Sequence, residues 1–331
     1  MADEQQISVI VTVKNEAASI LDFLESLAIQ TCRPSEVVIV DGGSIDGTQD
    51  LIRSFPRLTV RLLEETCNIA RGRNIGIMHA QYDAIAVTDA GCSLAPDWLS
   101  KITGDLAHAD VVVGNYRAQV KSLFDACQYS CSNLFGSDTC LERFTISSRS
   151  LAFRKTVWEE IGGYPEWLDY SEDAYFHDQI RSGGYRIVFR PDAIVEWMQR
   201  QDLRKIFLQY FRYMGGEALG VRHTWRNMLR FATYILGSLA LYAAYRHTLV
   251  LLFLFTGFVA YVLAPVWNFC RLGTYRLSAM TLIVIPAMLI YIDCAKMAGY
   301  SSGVFELLRD RLSKRAILGV EVSGERSKTG L

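Results

Sequence analysis

The feature that most constrains this chain is a regular alternation of short, uncharged apolar runs with helix-patterned segments over its first 115 residues. Ile7–Val13 is rich in β-branched residues, which is typical of a strand buried on both faces. Residues 17–29 then carry apolar side chains at helical spacing. The repeated pattern predicts an α/β domain with a parallel sheet and helical crossovers. The predicted strands are 7–13, 36–40, 58–63, 84–88 and 111–115, and the predicted helices are 17–29, 46–55, 69–79 and 98–106.

The pattern loosens after residue 115 and then returns. Residues 117–145 are mixed in character, with aromatic and cysteine side chains, and we interpret them as a substrate-facing insertion. The elements predicted beyond them are a strand at 150–153, a helix at 155–161, an ordered segment at 170–184, and two short strands at 186–189 and 193–197 that close the domain.

Three strongly apolar runs follow, at residues 231–245, 249–267 and 277–292. A helix needs about 20 apolar residues to cross a bilayer, and the second run meets this length best. The predicted division of the chain is a catalytic domain over 1–225, a membrane domain of two to three helices over 226–300, and an amphipathic, basic tail over 301–331.

The placement of charge indicates which side of the membrane the first domain occupies. Arg222, Arg226 and Arg230 stand just before the first apolar run, and basic residues favour the cytosolic side. The chain begins with an acidic segment that leads into a strand, so we expect no signal peptide. These features predict a multi-pass protein of the cell (inner) membrane with a cytosolic catalytic domain. The number of spans stays open, because three complete spans would place the basic tail outside.

The total charge of the chain excludes one class of partner. Lys and Arg number 34 and Asp and Glu number 35, which leaves no basic surplus for nucleic acid. Half of the residues are hydrophobic, and the last third of the chain holds the long apolar runs. We therefore expect membrane lipid, and no nucleic acid, among the partners.

Two aspartates follow predicted strands directly. Asp41 precedes a glycine-rich turn and Asp89 precedes Ala90-Gly91. Ligands of such sheets bind beyond the carboxyl ends of the strands, so both carboxylates are expected in one crevice. Asp41 stands at a helix start, where it would repel a phosphate and suits a base or ribose hydroxyl instead. Asp89 suits a divalent ion that neutralises a diphosphate. The alternative for each is ordinary turn chemistry.

Two further groups of charged residues open helices. Arg71 and Arg73 stand at a helix start, where cations oppose the helix dipole, and this favours an anionic partner over a solvated helix face. Glu172 and Asp173 open another helix. Acidic residues are common in a first turn, but a carboxylate beside a bound sugar is also suited to take a proton from an acceptor hydroxyl.

Taken together, these segments resemble the inverting family 2 glycosyltransferases of the GT-A fold. The resemblance covers residues 7 to about 215 and lies in the order and spacing of five segments. They are residues 9–16, 40–48, 71–76, 88–91, and 170–173 followed by 181–185. The resemblance implies a Rossmann-like nucleotide-diphospho-sugar transferase domain, followed by the C-terminal transmembrane helices.

The resemblance also implies roles for individual residues. Asp173 would be the catalytic base, with Glu172 beside it, and Asp89 would be the metal ligand. Residues implied to bind the donor are Thr12, Asn15, Glu16, Asp41, Gly43, Ser44, Arg73, Asp89 and Ala90. Residues implied to bind the acceptor are Ser148, Arg149 and Ser150, together with Gln209 and Arg212, which are similar to a motif of polysaccharide synthases.

The implied activity is the transfer of a sugar from a UDP, GDP or dTDP donor to a lipid-linked or polysaccharide acceptor. The implied cofactor is Mg²⁺ or Mn²⁺. One departure bears on that cofactor, because the metal-binding Asp-x-Asp motif reads Asp89-Ala90-Gly91 and lacks its last carboxylate. We therefore expect any ion to be weakly held.

Two other classes of function compete with this interpretation. A dinucleotide-dependent oxidoreductase would carry Gly-x-Gly-x-x-Gly after its first strand, where this chain has Val13-Lys14-Asn15-Glu16. A catalytically inactive scaffold subunit that binds a sugar or nucleotide would explain the missing carboxylate at Gly91, but the retained Asp41 and Asp173 favour an enzyme.

Overall fold

The structure is a computed structural model that describes residues 6–132, 146–245 and 247–326. The chain divides into two compact units. One is formed by Met1–Arg200 with Asn268–Leu277, and the other by Gln201–Trp267 with Ser278–Leu331. These units reflect packing within the chain, and the predicted division at residues 225 and 300 stays a prediction.

The first unit is built on one mixed sheet of eight strands, in the order β3-β2-β1-β4-β7-β6-β8-β5. The strands are β1 (Ile7–Val13), β2 (Glu36–Asp41), β3 (Val60–Glu64), β4 (Ala84–Asp89), β5 (Cys92–Leu94), β6 (Val111–Gln119), β7 (Leu151–Arg154) and β8 (Ile187–Met198). Strands β1 to β4 are parallel, as the alternating pattern predicts. The parallel arrangement ends at β7, which runs antiparallel to both β4 and β6, while β5 runs antiparallel to β8.

Helices cover the sheet and connect its strands. They are α1 (Ile20–Ala28), α2 (Thr48–Arg53), α3 (Ile69–Met78), α4 (Trp98–Thr103), α5 (Leu123–Ser130), α6 (Lys155–Ile161) and α7 (Glu172–Ser182). Helix α3 approaches β1 closely at Gly76, where an added Cβ would lie 2.6 Å from Ile10 Cγ2. This close packing holds α3, which carries Arg73, against the central strand.

Strand register fixes where the two aspartates lie. Asp41, the last residue of β2, pairs with Val13 of β1, and Asp89, the last residue of β4, pairs with Thr12. Because β1 lies between β2 and β4, the two aspartates stand two strand spacings apart, about 10 Å, at the carboxyl ends of the strands. The sheet therefore brings both aspartates to the carboxyl ends of the parallel strands, one residue out of register with each other, and their shared crevice stays a prediction.

Two parts of the later domain differ from the prediction. The strands predicted at 186–189 and 193–197 form one strand, β8, and its pairing with β6 shifts register between Gly114 and Asn115. Helix α5 lies within the segment interpreted as an insertion, and residues 133–145 of that segment lie outside the described residues.

After residue 200, the described chain is helical. The helices are α8 (Leu203–Leu219), α9 (Thr224–Ala244), α10 (Thr248–Leu272) and α11 (Ala279–Arg326). The tail predicted over 301–331 continues α11 as far as Arg326. By length and composition, two helices of the described chain are able to cross a membrane, Leu249–Leu272 with mean hydropathy 2.4 and Ala279–Asp310 with mean hydropathy 1.7.

Charged and phenolic side chains meet among these helices. Asp293 of α11 is 5% exposed, and its Oδ1 lies 3.2 Å from Arg230 Nε of α9. The hydroxyl of Tyr234 donates to Asp293 Oδ2 at 3.3 Å, and the hydroxyl of Tyr261 donates to the same oxygen. A buried carboxylate in this helical region is thus paired and hydrogen-bonded, as a buried charge requires.

Candidate active site

Asp41 forms the first part of the site, at the end of β2. The side chain is fully buried, and its Oδ1 accepts hydrogen bonds from the backbone N–H groups of Gly43 at 2.7 Å and Ser44 at 2.6 Å. Gly43 has a φ of 90°, which favours glycine. The second oxygen, Oδ2, is buried without a hydrogen-bond partner in the described part of the chain. A buried acceptor usually has a partner, so Asp41 is suited to receive a donor group from a ligand.

Asn15 and Ser44 brace the turns that follow β1 and β2. The Asn15 N–H donates to Ser44 Oγ at 2.8 Å, and the Ile45 N–H donates to Asn15 Oδ1 at 2.9 Å. Asn15 adopts a left-handed φ of 56°, which asparagine tolerates better than most residues. The Glu16 N–H donates to Thr48 Oγ1 at 2.9 Å. These hydrogen bonds fix the two turns against each other. Contacts of Asn15, Glu16 and Ser44 with a donor stay a prediction.

Two threonine hydroxyls near the carboxyl ends of β1 and β4 are buried without a hydrogen-bond partner among the described residues. They belong to Thr12 of β1 and Thr88 of β4. Thr12 pairs with Asp89, and Thr88 pairs with Val11. With Asp41 Oδ2, three buried polar atoms near the carboxyl ends of β1, β2 and β4 thus lack a partner among the described residues, as expected where a polar ligand binds.

Arg73 connects the carboxyl end of β4 to the start of helix α7. Its side chain is 2% exposed, and Nη2 donates to Asp89 Oδ1 at 2.9 Å while Nη1 donates to Glu172 Oε1 at 2.5 Å. The guanidinium carbon lies 5.2 Å from the centroid of the Tyr164 ring. Burial disfavours the charge of Arg73, but Asp89 and Glu172 raise its pKa above the ordinary value. Three predicted site residues, Asp89, Arg73 and Glu172, therefore form one ion-paired group, in which Arg73 and Glu172 are buried and Asp89 is 25% exposed.

Asp173 follows Glu172 in the first turn of α7. The backbone N–H of Ala174 donates to its Oδ1 at 2.7 Å, and Ser147 Oγ donates to its Oδ2 at 3.5 Å. Burial opposes ionisation, but His177, Arg73 and Arg149 lower the pKa of Asp173 below its ordinary value. Asp173 is therefore ionised at neutral pH and can accept a proton.

The backbone just before the two acidic residues is in an uncommon conformation. Ser171 has a φ of 63°, in the left-handed region that favours glycine. Such outliers in non-glycine residues cluster at functional sites. Burial raises the pKa of the neighbouring Glu172, so the two carboxyl groups at this turn have different proton affinities.

Arg149 lies beside both Asp89 and Ser147. Its Nε is 3.7 Å from Asp89 Oδ2, and its Nη1 donates to Ser147 Oγ at 3.2 Å. The guanidinium carbon lies 5.7 Å from the ring centroid of Tyr116 and 5.3 Å from that of Trp197. The side chain is 23% exposed, against 2% for Arg73. Arg149 is thus the more accessible of the two cations that face Asp89.

The two serines predicted to bind an acceptor are buried inside the protein. Ser148 Oγ lies 2.9 Å from Tyr164 Oη and 3.4 Å from His177 Nε2. Ser150 Oγ accepts from Trp98 Nε1 at 2.9 Å and donates to the Ala193 carbonyl at 3.1 Å. Among Ser148, Arg149 and Ser150, only Arg149 is partly exposed. The two buried serines form hydrogen bonds within the protein on either side of it.

Gln209 and Arg212 both lie on α8. Gln209 Nε2 donates to Tyr213 Oη at 3.2 Å. Their contact with an acceptor stays a prediction.

Several side chains of the site lie outside the residues predicted from sequence. Tyr164 and His177 contact Ser148, and Tyr116 and Trp197 flank Arg149. His177 follows Asp173 by four residues on α7, and this spacing is a signal that places two side chains on one helix face. The aromatic pair comes from β6 and β8, and nothing in the local sequence links them to Arg149.

These residues do not by themselves form a divalent cation site. Both oxygens of Asp89 face arginine side chains. Within residues 6–132, 146–245 and 247–326, no group of three or more His, Cys, Asp or Glu side chains is placed to hold an ion. Gly91 contributes no side chain at all. The predicted Mg²⁺ or Mn²⁺ would therefore depend largely on oxygens of a bound donor and on water.

Comparison with known proteins places this site in a family context. The family model for glycosyl transferase family 2 matches residues 8–145. Glycosyltransferase AglE of Haloferax volcanii is 28% identical over 198 residues, which cover 57% of this chain and 65% of that protein. Succinoglycan biosynthesis protein ExoA of Rhizobium meliloti is 26% identical over 230 residues, which cover 63% of this chain and 68% of that protein. The matched part of the chain thus spans slightly less than two thirds of the archaeal relative.

Solved structures share the fold. The mannosyltransferase PcManGT from Pyrobaculum calidifontis, solved in complex with GDP-Man and Mn²⁺, superposes with a TM-score of 0.60 at 20% identity. The match covers 89% of this chain and 88% of that one. The likeness supports the predicted GT-A fold of the mixed sheet.

Proposed function

We propose that the chain, whose residues 8–145 match the family model for glycosyl transferase family 2, transfers a sugar from a nucleoside-diphosphate donor to a lipid-linked or polysaccharide acceptor at a membrane. The observation that carries the proposal is the Asp89–Arg73–Glu172 group, which ties the sheet edge with Asp41 and Asp89 to the turn with Asp173. The family match also overturns the oxidoreductase alternative.

The donor site follows from the unpaired polar atoms at the sheet edge. Asp41 Oδ2 accepts a hydrogen bond from the nucleobase or ribose, and the buried, unpaired hydroxyls of Thr12 and Thr88 are further candidates for contact with the donor. The diphosphate then lies toward Asp89 and Arg149. The solved mannosyltransferase was bound to GDP-Man, which supports a nucleotide-sugar donor for this chain without fixing its base or sugar.

The transfer needs one base. Asp173 is ionised and takes the proton of an acceptor hydroxyl, whose oxygen attacks the anomeric carbon. The bond from that carbon to the diphosphate oxygen breaks, and its electron pair leaves with the diphosphate. Attack from the opposite face inverts the anomeric configuration. Mg²⁺ or Mn²⁺ near Asp89 would supply Lewis acidity at the diphosphate, and this cofactor stays a prediction.

The acceptor and the location of the protein are inferred from the helical region. Helix α10 exposes large apolar side chains, with Leu249 82% and Phe253 75% exposed, and such surface suits lipid. ExoA carries succinoglycan biosynthesis in its name. Both features support an inner-membrane enzyme of surface glycan synthesis, with a cytosolic catalytic domain and an acceptor carried on lipid or on a growing polysaccharide.

The test combines a donor screen with a variant of the base. The full-length protein in detergent is screened for thermal stabilisation by UDP-, GDP- and dTDP-sugars, and the nucleoside diphosphate released in the presence of membranes is measured. Asp173→Asn should lower turnover about 100- to 10,000-fold while the donor still stabilises the protein. Asp178→Asn, on an exposed residue of the same helix, is the matched control.

Three results would count against the proposal. Near-normal turnover of Asp173→Asn would remove Asp173 as the base. Stabilisation by a donor without any release of nucleoside diphosphate would favour the inactive scaffold. Absence of stabilisation by every nucleotide sugar tested would reject a nucleotide-sugar donor altogether.

A further inference from the structure

The place of the missing carboxylate is open space at the crevice. A Cβ built on Gly91 would meet one described atom within 4 Å, Glu16 Oε1 at 4.0 Å. The neighbouring carboxylate, Asp89, is engaged by arginine on both oxygens, by Arg73 at 2.9 Å and by Arg149 at 3.7 Å. A cation held here would have to replace one of these pairings. The charge that faces a diphosphate must therefore be sought among the side chains already present.

Two arginines are close enough to supply that charge, and they differ in access. Arg73 is 2% exposed, with Nη1 and Nη2 committed to Glu172 and Asp89, so it is enclosed by protein. Arg149 is 23% exposed, and its guanidinium is fixed by the rings of Tyr116 and Trp197. A planar guanidinium matches phosphate oxygens in a bidentate way, and aromatic contacts keep its plane in one orientation. Arg149 is thus a cation fixed in place at the crevice.

The position of Arg149 relative to the reacting groups completes the argument. It touches Asp89, where the diphosphate of a donor would lie, and Ser147, whose hydroxyl donates to Asp173. A cation between these two carboxylates stands next to the bond that breaks. The same cation also lowers the pKa of Asp173, so it favours the ionised base.

We propose that Arg149, rather than a carboxylate-held metal ion, binds the leaving nucleoside diphosphate, so that donor binding and transfer do not require a divalent cation. The inference rests on the proposed transfer reaction. Arg149 moves no proton in it. The acceptor proton goes to Asp173, the electron pair of the broken bond goes to the diphosphate oxygen, and Arg149 donates hydrogen bonds to that oxygen and its neighbours.

The experiment separates the diphosphate from the nucleoside. Binding of UDP, GDP and dTDP, and of uridine, guanosine and thymidine as their nucleosides, is measured on the full-length protein in detergent, once in EDTA and once in MnCl₂. Whichever nucleoside diphosphate binds should have the same affinity in EDTA as in MnCl₂. In Arg149→Gln, its affinity should fall about 10- to 100-fold in either buffer, as expected for the loss of charge-assisted hydrogen bonds, while nucleoside affinity stays unchanged. Arg149→Lys, which keeps the positive charge, should retain part of the affinity for the nucleoside diphosphate.

Arg154→Gln is the matched control, because Arg154 ends β7 five residues away and pairs with Asp83 at 2.9 Å. It should leave both affinities unchanged. If the nucleoside diphosphate bound only in MnCl₂ and not in EDTA, the inference would be overturned, and the proposed function would stay in place. An equal loss of nucleoside and diphosphate in Arg149→Gln would also overturn it, because it would assign Arg149 to the framework of the site. Failure of every nucleotide to bind would instead reject the proposed function.

Discussion

The sheet of the catalytic region and the helices after residue 200 place their apolar and charged side chains in opposite ways. Val9 and Ile10 of β1 are fully buried, and the polar groups of the site gather at a sheet edge. On α10, Leu249 and Phe253 are largely exposed, whereas Asp293 of α11 is buried against Arg230. Large contiguous apolar surface on a protein marks an interaction surface. The contrast is the one expected if water surrounds the sheet domain and lipid surrounds the helices, as the proposed membrane location requires.

The buried charges of the two regions also differ in what they do. In the catalytic region, Arg73 joins Asp89 to Glu172 and so connects two halves of a crevice. In the helical region, Asp293 is paired with Arg230 and receives the Tyr261 hydroxyl among helix faces. The first arrangement leaves an accessible cation at a site, and the second satisfies a charge within a packed helical region. Variants of each region should therefore fail in different assays.

The largest expected effect comes from opening the ion-paired group of the catalytic region. Arg73→Met removes the cation that joins Asp89 to Glu172 and leaves the buried Glu172 carboxylate without this partner, which typically costs about 3–5 kcal/mol. For a unit of this size, that corresponds to a fall in Tm of roughly 10 °C. The measurement is thermal unfolding of the full-length protein in detergent.

Arg53→Met provides the control for this variant. Arg53 is half exposed and pairs with Asp50 and Glu64 at the surface, and such pairs contribute at most about 1 kcal/mol. Equal, small shifts in Tm for the two variants would show that the Arg73 group does not hold the crevice together.

The next effect tests the lipid-facing role of α10. Leu252 is 62% exposed, and replacing it by aspartate should cost about 2.5–3.5 kcal/mol if the position lies at the centre of a bilayer. Leu252→Asp should therefore lower the fraction of protein that stays in membranes after an alkaline wash. Met78→Asp changes an equally exposed apolar residue, 58%, of the catalytic region and should leave that fraction unchanged. Full retention of Leu252→Asp would mean that this face of α10 does not meet lipid.

The fold of the catalytic region was predictable where the sequence pattern is local and strong. The predicted strand 7–13 is confirmed residue for residue as β1, and β2, β3 and β4 differ from prediction by one or two residues at their ends. β5 was missed and β8 was predicted as two strands, and each difference has a physical reason. β5 is three residues long, too short for a periodicity. The strand β8 runs through Pro191, which is tolerated because its pairing with β6 shifts register nearby.

Helix α5 shows that one available signal was overlooked. Ser122 caps the helix through the Asp125 N–H, and the Asp125 carboxylate accepts from the Ser122 N–H, which is a capping box. Ser-x-x-Asp before an apolar segment is a recognisable start signal for a helix. The mixed composition of residues 117–145 nevertheless favoured an irregular insertion.

The site was predictable to the extent that it lies at strand ends. Asp41 and Asp89 share the edge that their positions after β2 and β4 imply. Arg73 contacts Asp89, 16 residues further along the chain, and Glu172, 99 residues further along. The enclosure of Arg149 by Tyr116 and Trp197 joins residues from distant strands. Such contacts depend on how β6, β7 and β8 assemble, and no local periodicity encodes that order.

The smallest expected effect tests close packing within the helical region. Gly299 of α11 faces α8 so closely that an added Cβ would clash with the Phe211 carbonyl oxygen, whereas a Cβ on Gly237 of α9 meets nothing within 4 Å among the described residues. Gly299→Ala should destabilise the protein by about 1–3 kcal/mol through overpacking. Gly237→Ala should be neutral or stabilising by up to about 1 kcal/mol, because alanine favours helix. Both changes are read from thermal unfolding in detergent.

The two glycine variants also sharpen the contrast between the regions. Small residues let helix backbones approach closely in a lipid-matched region, so Gly299→Ala should lower helix stability while nucleoside binding by the catalytic region is retained. If Gly299→Ala and Gly237→Ala shifted Tm alike, the close contact between α8 and α11 would carry no weight in the packing of these helices. A joint loss of Tm and of nucleoside binding in Gly299→Ala would mean that the two regions do not respond separately, and the contrast drawn from their side-chain burial would fail.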